Sequence, residues 1–467
     1  MTDTTAALRS AVETGLPTAI SALADLVAIP SIAFPGFPRD EVERSAAAVA
    51  ALFEGTGLFD QVSVRTAAVP GTGEPGMPAV LATRRARPGR PTVLLYAHHD
   101  VQPVGDEQLW LTPPWQLTAR DGRLYGRGSS DDKAGVIVHL AALRALGTVL
   151  ADDLGLGLAV FIEGEEEAGS RSFAQFLADN RDALAADVIV VTDSDNWDAR
   201  TPGLTISLRG NVRFTLTVRT LAHASHSGMA GGAVPDAMLA TIRLLNTLWH
   251  EDGSVAVAGL TQYDSPTPEY GEDELRADTG LLPGVSPIGR GTILSRLWNQ
   301  PAITVTGIDA PSVLNASNTI LPELSVVISA RVAPGQDGQE AYRALEAHLR
   351  ARAPFGAELG FSDVDCGDGF LADTSGPAIQ LGRRALAEGF GVAPVDLGVG
   401  GSIPFIADLA RVFPDAQILV TAVGDPLSRP HTPNESQDEA ALAAAIRAEA
   451  WLLLQLNSAR VEDLTAG

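Results

Sequence analysis

The chain has 467 residues, is 45% hydrophobic and carries a net charge of -24. That length exceeds one ordinary core and implies two domains, while the charge argues against a nucleic-acid or anionic-membrane partner. The single cysteine, Cys366, excludes an internal disulfide framework and a thiolate-rich zinc site.

No basic segment followed by an apolar core opens the chain, and no apolar run approaches the roughly 18 residues that span a membrane. The expectation is a cytoplasmic protein without a membrane partner. From Thr4 to Val27, apolar residues at helical spacing (Leu8, Val12, Ile20, Leu23, Val27) predict a helix that Pro30 stops. Val69 to Pro78 is rich in Gly and Pro and reads as a loop. Pro91 to Ala97 is an apolar run of strand type, and a helix follows Lys133 through Val138, Leu140, Leu143 and Leu146. Leu156 to Ile162 and Asp187 to Val191 are further buried strands. Strands alternating with helices argue for an α/β domain with a mainly parallel sheet.

The pattern changes after Arg209-Gly210. Asn211 to Arg219 alternates apolar and polar, as a half-exposed antiparallel strand does, and Ser325 to Val332 repeats that style. Gln339 to Arg350 reads as a helix. From about Phe370 the α/β style returns, with a helix near Leu381 to Glu388, a strand at Gln417 to Val420 and a last helix from Asp438. The expected organisation is one α/β domain in two parts, residues 1–206 and 370–467, interrupted by an inserted α+β domain at 207–369.

Acids and histidines fall at the ends of the strands. His98-His99-Asp100 follows the strand ending at Ala97, and Asp131-Asp132 sits just before a helix. Glu165-Glu166-Glu167 follows the strand ending at Ile162, Asp193 and Asp195 follow the one ending at Val191, and His431 follows the last. Open α/β sheets bind ligands at the carboxyl ends of their strands. Singly, an Asp after a strand is usually a helix cap, and a loop His is usually solvated. Capping does not explain all five positions together, and three adjacent glutamates at an apolar strand end repel unless a cation is present. Carboxylate with imidazole suits Zn²⁺, Mn²⁺ or Co²⁺. In a chain otherwise built with arginine, the only lysine, Lys133, directly after Asp131-Asp132, points to a requirement that Arg does not meet.

Tyr96-Ala-His-His-Asp-Val-Gln-Pro103, Gly126-Arg-Gly-Ser-Ser-Asp-Asp-Lys133, Glu163-Gly-Glu-Glu-Glu-Ala-Gly-Ser170, Ser194-Asp-Asn196 and His431-Thr-Pro-Asn-Glu435 occur in this order. Leu26-Val-Ala-Ile-Pro-Ser-Ile32 precedes them. With these motifs the chain resembles the M20 metallopeptidase family and its dipeptidase branch, related to carnosine dipeptidase. Ala134 and Thr432 depart from the family's usual Gly and Ser, at positions that carry no ligand.

The resemblance implies that the two-part domain is catalytic and that the inserted one is a lid/dimerisation domain. It also implies two divalent ions per chain, zinc first, with manganese or cobalt as alternatives. His98, Asp131 and Asp195 would hold one; Asp131, Glu167 and His431 the other, with Asp131 bridging. Glu166 would be the general base and Asp100 would orient His98. Two metals about 3.5 Å apart polarise a carbonyl and acidify a water between them, and a free carboxylate must then carry its proton. In the inserted block, His223-Ala-Ser-His226-Ser-Gly228 resembles the family's lid motif. It implies that His226 stabilises the tetrahedral intermediate, acting in the partner subunit of a homodimer. By the same resemblance Thr319, Arg331, Gly401 and Ser402 would grip the substrate, the arginine by a bidentate bond to a carboxylate. A long lid with Gly291-Thr-Ile-Leu-Ser-Arg-Leu-Trp298 resembles the dipeptidase branch. The expected substrate is a dipeptide or similarly small peptide, the alternative an N-acyl amino acid cleaved by an M20 deacylase or desuccinylase. A catalytically dead, metal-stabilised binding protein is disfavoured, because Glu166 and all five ligand positions are filled.

Overall fold

The computed structural model describes residues 2–264, 268–401 and 404–465. The chain forms two compact units, Met1–Ile206 with Ala372–Leu397 and Asp408–Gly467, and Ser207–Leu371 with Gly398–Ala407. The short stretch Gly398–Ala407, expected in the catalytic part, groups with the inserted unit.

The first unit is built on a mixed sheet. Its strands lie in the order Gln61–Arg65, Ala79–Arg84, Gly157–Glu163, Thr92–His98, Val188–Thr192, Gln417–Thr421, Gly203–Leu208. The four central strands, Gly157–Glu163 to Gln417–Thr421, are mutually parallel, and those flanking them are antiparallel. Thr-Val-Leu-Leu-Tyr-Ala-His and Val-Ile-Val-Val-Thr are apolar nearly throughout because helices cover a central strand and leave it no wet face. Helices Thr2–Val27, Lys133–Leu150, Pro377–Phe390 and Glu439–Ser458 pack on one another and supply Leu23, Leu26, Leu140, Leu143 and Leu453 to the core. Asp438 starts the last of them by accepting the Ala441 N–H at 2.9 Å. The segment Lys133–Asp153, with mean hydropathy 1.8, is long and apolar enough to cross a membrane, which the sequence reading did not expect. Here 61% of its apolar window is buried inside the unit, as in a core helix.

In the second unit four antiparallel strands run in the order Ala302–Asp309, Glu323–Val332, Gly210–Arg219, Glu358–Gly367. Alternation decides their faces. Val212, Phe214, Leu216 and Val218 are buried with Ala240 and Leu244 of helix Ala237–Leu245 and Ala341, Leu345 and Leu349 of helix Gly338–Ala351. A short ribbon in this unit pairs Ser225–His226 with Thr319–Ile320.

Candidate active site

Each central strand of the first unit ends in a polar side chain that the fold carries to one edge. His98 is the last residue of its strand; Glu166 and Glu167 follow Gly157–Glu163, Asp193 follows Val188–Thr192, and His431 lies in the loop after Gln417–Thr421. Asp131 comes from the turn that opens helix Lys133–Leu150, where the Asp131–Asp132 peptide is cis. His431 has a φ of 61°, a region that non-glycine residues rarely occupy and that clusters at functional sites.

Asp131 is the centre of the arrangement. Its Oδ1 lies 3.1 Å from Nε2 of His98 and its Oδ2 lies 2.9 Å from Nε2 of His431. Two groups of donor atoms share it, His98 with Asp131 and Asp193, and Asp131 with Glu167 and His431, each group lying within 4.8 Å. Oε2 of Glu167 is 3.1 Å from His431, and Oε2 of Glu166 stands 3.9 Å from Nε2 of His98, outside both groups.

These positions demand positive charge. Burial would lower the pKa of His98, but Asp100 and Asp131 outweigh it and raise it well above the usual value. His431 is pushed up to about 10 by Asp131 and Glu167. Burial would raise Asp131, yet bonds from the two imidazoles hold it below the ordinary carboxylate range. Burial pushes Asp193 up to about 7 against the pull of His98, and it raises Glu166 well above the usual range. Oε1 of Glu167 is buried with no hydrogen-bond partner among the described residues. Protons on imidazoles do in part what divalent ions would do fully, so the donor chemistry fits a pair of such ions.

One expected ligand, Asp195, has a neighbour that competes for its place. The structure brings Asp193, not Asp195, to His98 and Asp131. Strand pairing ends at Thr192; Asp195 forms a parallel bridge with Gly424 and lies outside both donor groups, yet burial and the charge of Asp131 push its carboxyl up to about 7. The three adjacent glutamates also divide their work. Glu165 turns away and accepts the N–H groups of Met77 and Ser172 at 3.1 and 2.7 Å. Asp100 is buried: Oδ1 lies 3.4 Å from Nδ1 of His98, and its two oxygens accept the N–H groups of Glu166 and Glu167, each at 3.1 Å. It thus fixes a ring and the turn carrying both glutamates. Sequence reasoning missed Gln102, whose amide donates to Oε2 of Glu167 at 2.7 Å; its only signal is membership of the Tyr96–Pro103 motif.

The remaining expected residues lie in the second unit. His226 and Thr319 face each other in register on the short ribbon and are both exposed. Nδ1 of His226 accepts the Gly228 N–H at 3.0 Å, which leaves the ring proton on Nε2 as a free donor. Arg331 lies on strand Glu323–Val332, and its charge, after burial, helps pull the pKa of Arg209 down to about 10. Arg209, which sequence reasoning used only as a boundary, donates to the Gly400 carbonyl at 3.0 Å, next to Gly401. Ser402 lies outside the described residues.

A sheet whose strand ends assemble two carboxylate–imidazole groups around one shared aspartate defines a metallohydrolase site. The sequence model of peptidase family M20/M25/M40 matches residues 94–455, and the chain belongs to this family. It is 37% identical over 369 residues to a cysteinylglycine-S-conjugate dipeptidase of Corynebacterium striatum, covering 78% of this chain and 81% of that protein. It is 29% identical over 441 residues to the beta-Ala-His dipeptidase of Rattus norvegicus, covering 89% and 88%. In fold it is similar to the di-peptidase Dug1p from Saccharomyces cerevisiae, with a TM-score of 0.76 at 22% identity over 98% of this chain and 100% of that one. Human carnosine dipeptidase 1 gives a TM-score of 0.73 at 24% identity over 97% and 98%.

Proposed function

We propose that the chain is a two-metal dipeptidase that hydrolyses the peptide bond of dipeptides or similarly small peptides. The observation that carries this reading is Asp131, whose two oxygens face His98 at 3.1 Å and His431 at 2.9 Å. The likeness to dipeptidases of two kinds supports the substrate class. His98 and Asp131 with Asp193, or with Asp195 in its place, would hold one ion; Asp131, Glu167 and His431 would hold the other. Zinc is the first assignment, manganese and cobalt the alternatives. When bound, the pair supplies Lewis-acid activation of the scissile carbonyl and of the attacking water.

The protein's own groups handle protons and position. Glu166, close to His98 yet outside both donor groups, takes one proton of the attacking water and returns it to the leaving nitrogen as the C–N bond breaks, so water and peptide become a carboxylate and an ammonium once the new acid passes its proton to the amine. Asp100 keeps the His98 ring and the Glu166–Glu167 turn in place. His226, with its proton on Nε2, donates to the developing oxyanion, in the neighbouring copy of a homodimer. Thr319, Arg331, Gly401 and Ser402 bind substrate, the arginine its carboxylate. We assign the protein to the cytoplasm, in keeping with its lone cysteine.

The test is a rate profile on dipeptides and on N-acyl amino acids, with zinc, manganese and cobalt each restored to apo-protein. Faster cleavage of dipeptides is expected. Preference for N-acyl amino acids would make the chain a deacylase, and two bound ions without turnover on either class would refute the enzymatic reading. Mixing inactive His226→Ala and Glu166→Gln subunits should restore activity; no recovery despite subunit exchange would exclude action in trans.

A further inference from the structure

Glu435 is fully buried four residues after His431, and its partners lie some three hundred residues earlier. Oε2 accepts from Nη1 of the buried Arg127 at 2.6 Å and from the Gly128 N–H at 3.1 Å. Oε1 accepts the N–H groups of Ser130 and Asp131, both at 3.0 Å. One carboxylate thus collects four donors, three of them from the backbone of the turn that ends on Asp131. Strands Arg123–Tyr125 and Ser436–Asp438 pair alongside, and the Glu435 carbonyl accepts the Gly126 N–H at 3.1 Å. A plain surface turn has no use for a buried, four-coordinate carboxylate, whose burial is costly unless every lone pair is matched.

We propose that Glu435 is a positioning residue for the metal pair: it fixes the main chain of the bridging Asp131 against the His431 loop and so sets the separation of the two donor groups before any ion arrives. This rests on the two-metal reading above. Asp131 is common to both groups, so a turn free to shift would misplace one ligand of each. Arg127 balances the charge of Glu435, which leaves the net charge offered to the ions with Asp131, Asp193, Glu166 and Glu167.

Zinc affinity tests it, measured by chelator competition on the full-length apo-protein. Glu435→Gln keeps the size of the side chain but turns an NH₂ toward Arg127 and Gly128, so two acceptor contacts become donor against donor. The expected result is zinc binding about 10–100-fold weaker, the usual effect of losing an outer-sphere partner, with an unchanged far-UV spectrum. Wild-type affinity for both ions in Glu435→Gln would overturn the proposal. A wild-type protein that binds fewer than two zinc ions would instead defeat the two-metal reading. Hydrogen exchange on the wild type decides the matter even where the variant does not fold. The Ser130 and Asp131 amides should be protected in the apo-protein; free exchange until zinc is added would mean that the metal, not Glu435, orders the turn.

Discussion

Lys133→Arg, ordinarily a mild exchange, should destabilise this protein about as much as removing the charge altogether. Lys133 is fully buried, and its Nζ donates to the carbonyls of Leu26 at 2.9 Å and Ile29 at 2.7 Å, where the first helix ends. Its stem runs so close to Gly128 that a Cβ there would lie 3.1 Å from Cδ. Burial draws its pKa down to about 7, opposed by Glu435. Lys133→Met takes the ammonium from both carbonyls, which keep only the Ile29 and Ser31 N–H groups at 3.0 and 2.9 Å. Two bonds to a charged donor are worth roughly 3–6 kcal/mol, and relief from burying an ammonium offsets part of that. A net loss of about 2–4 kcal/mol remains. Arginine retains the charge but must force a planar fork into a channel sized for one ammonium. Overpacking of about 1–3 kcal/mol adds to guanidinium N–H groups left unpaired. Urea unfolding of the apo-protein, followed by tryptophan fluorescence, measures both variants. A Lys133→Arg protein within about 0.5 kcal/mol of wild type, the range of neutral surface changes, would refute the reasoning.

Glu166→Gln should retain its metal while turnover falls at least about a hundredfold, whereas Glu167→Gln should lose metal; equal metal loss in both would remove the division of roles. Asp193→Asn should weaken metal binding, and Asp195→Asn should leave it near wild type, as elemental analysis after dialysis would show; the reverse order would restore Asp195 as the ligand. His139 is buried between Glu449 and the Tyr96 carbonyl, each at 2.9 Å, and although burial lowers its pKa, Glu449 outweighs that and raises it. A raised pKa means stabilisation that is complete below the unfolded value, about 6.5, and is lost as pH climbs through the folded one. His139→Gln should therefore cost about 3 kcal/mol near pH 6 and progressively less in alkali; a gap independent of pH would show that His139 is neutral in the fold.

Strand ends were readable because their chemistry interrupts apolar runs. His98, Glu166, Glu167 and His431 stand out after Tyr96-Ala97, Phe161-Ile162 and Leu419-Val420 for that reason. The choice between Asp193 and Asp195 was not readable from spacing. In extended chain, residues two apart share a face, and only the end of pairing at Thr192 and the bridge from Asp195 to Gly424 separate them. Strand Gln61–Arg65 escaped notice because its residues are half-exposed and mixed, and Ala79–Arg84 because it follows directly on a Gly/Pro loop. Glu435 was legible only as the last residue of the His431–Glu435 motif, since three of its four donors are backbone N–H groups that any sequence possesses. Lys133 was conspicuous as the only lysine, but the carbonyls it serves are distant in sequence and silent in composition.

The order in which the first unit is made follows from its interruption. A ribosome releases His98, Asp131, Glu167 and Asp193 early, then the whole of Ser207–Leu371, and only afterwards the strand Gln417–Thr421 and His431. Until that strand zips alongside Val188–Thr192, the nascent protein displays an unpaired parallel edge and half a cation cradle. The inserted unit, contiguous but for ten residues, can complete most of its contacts while its host waits. Closure of the host is thus a late, long-range event, the kind that folds slowly and leans on chaperones. His431, and with it the second donor group around Asp131, is therefore the last part of the site to be made.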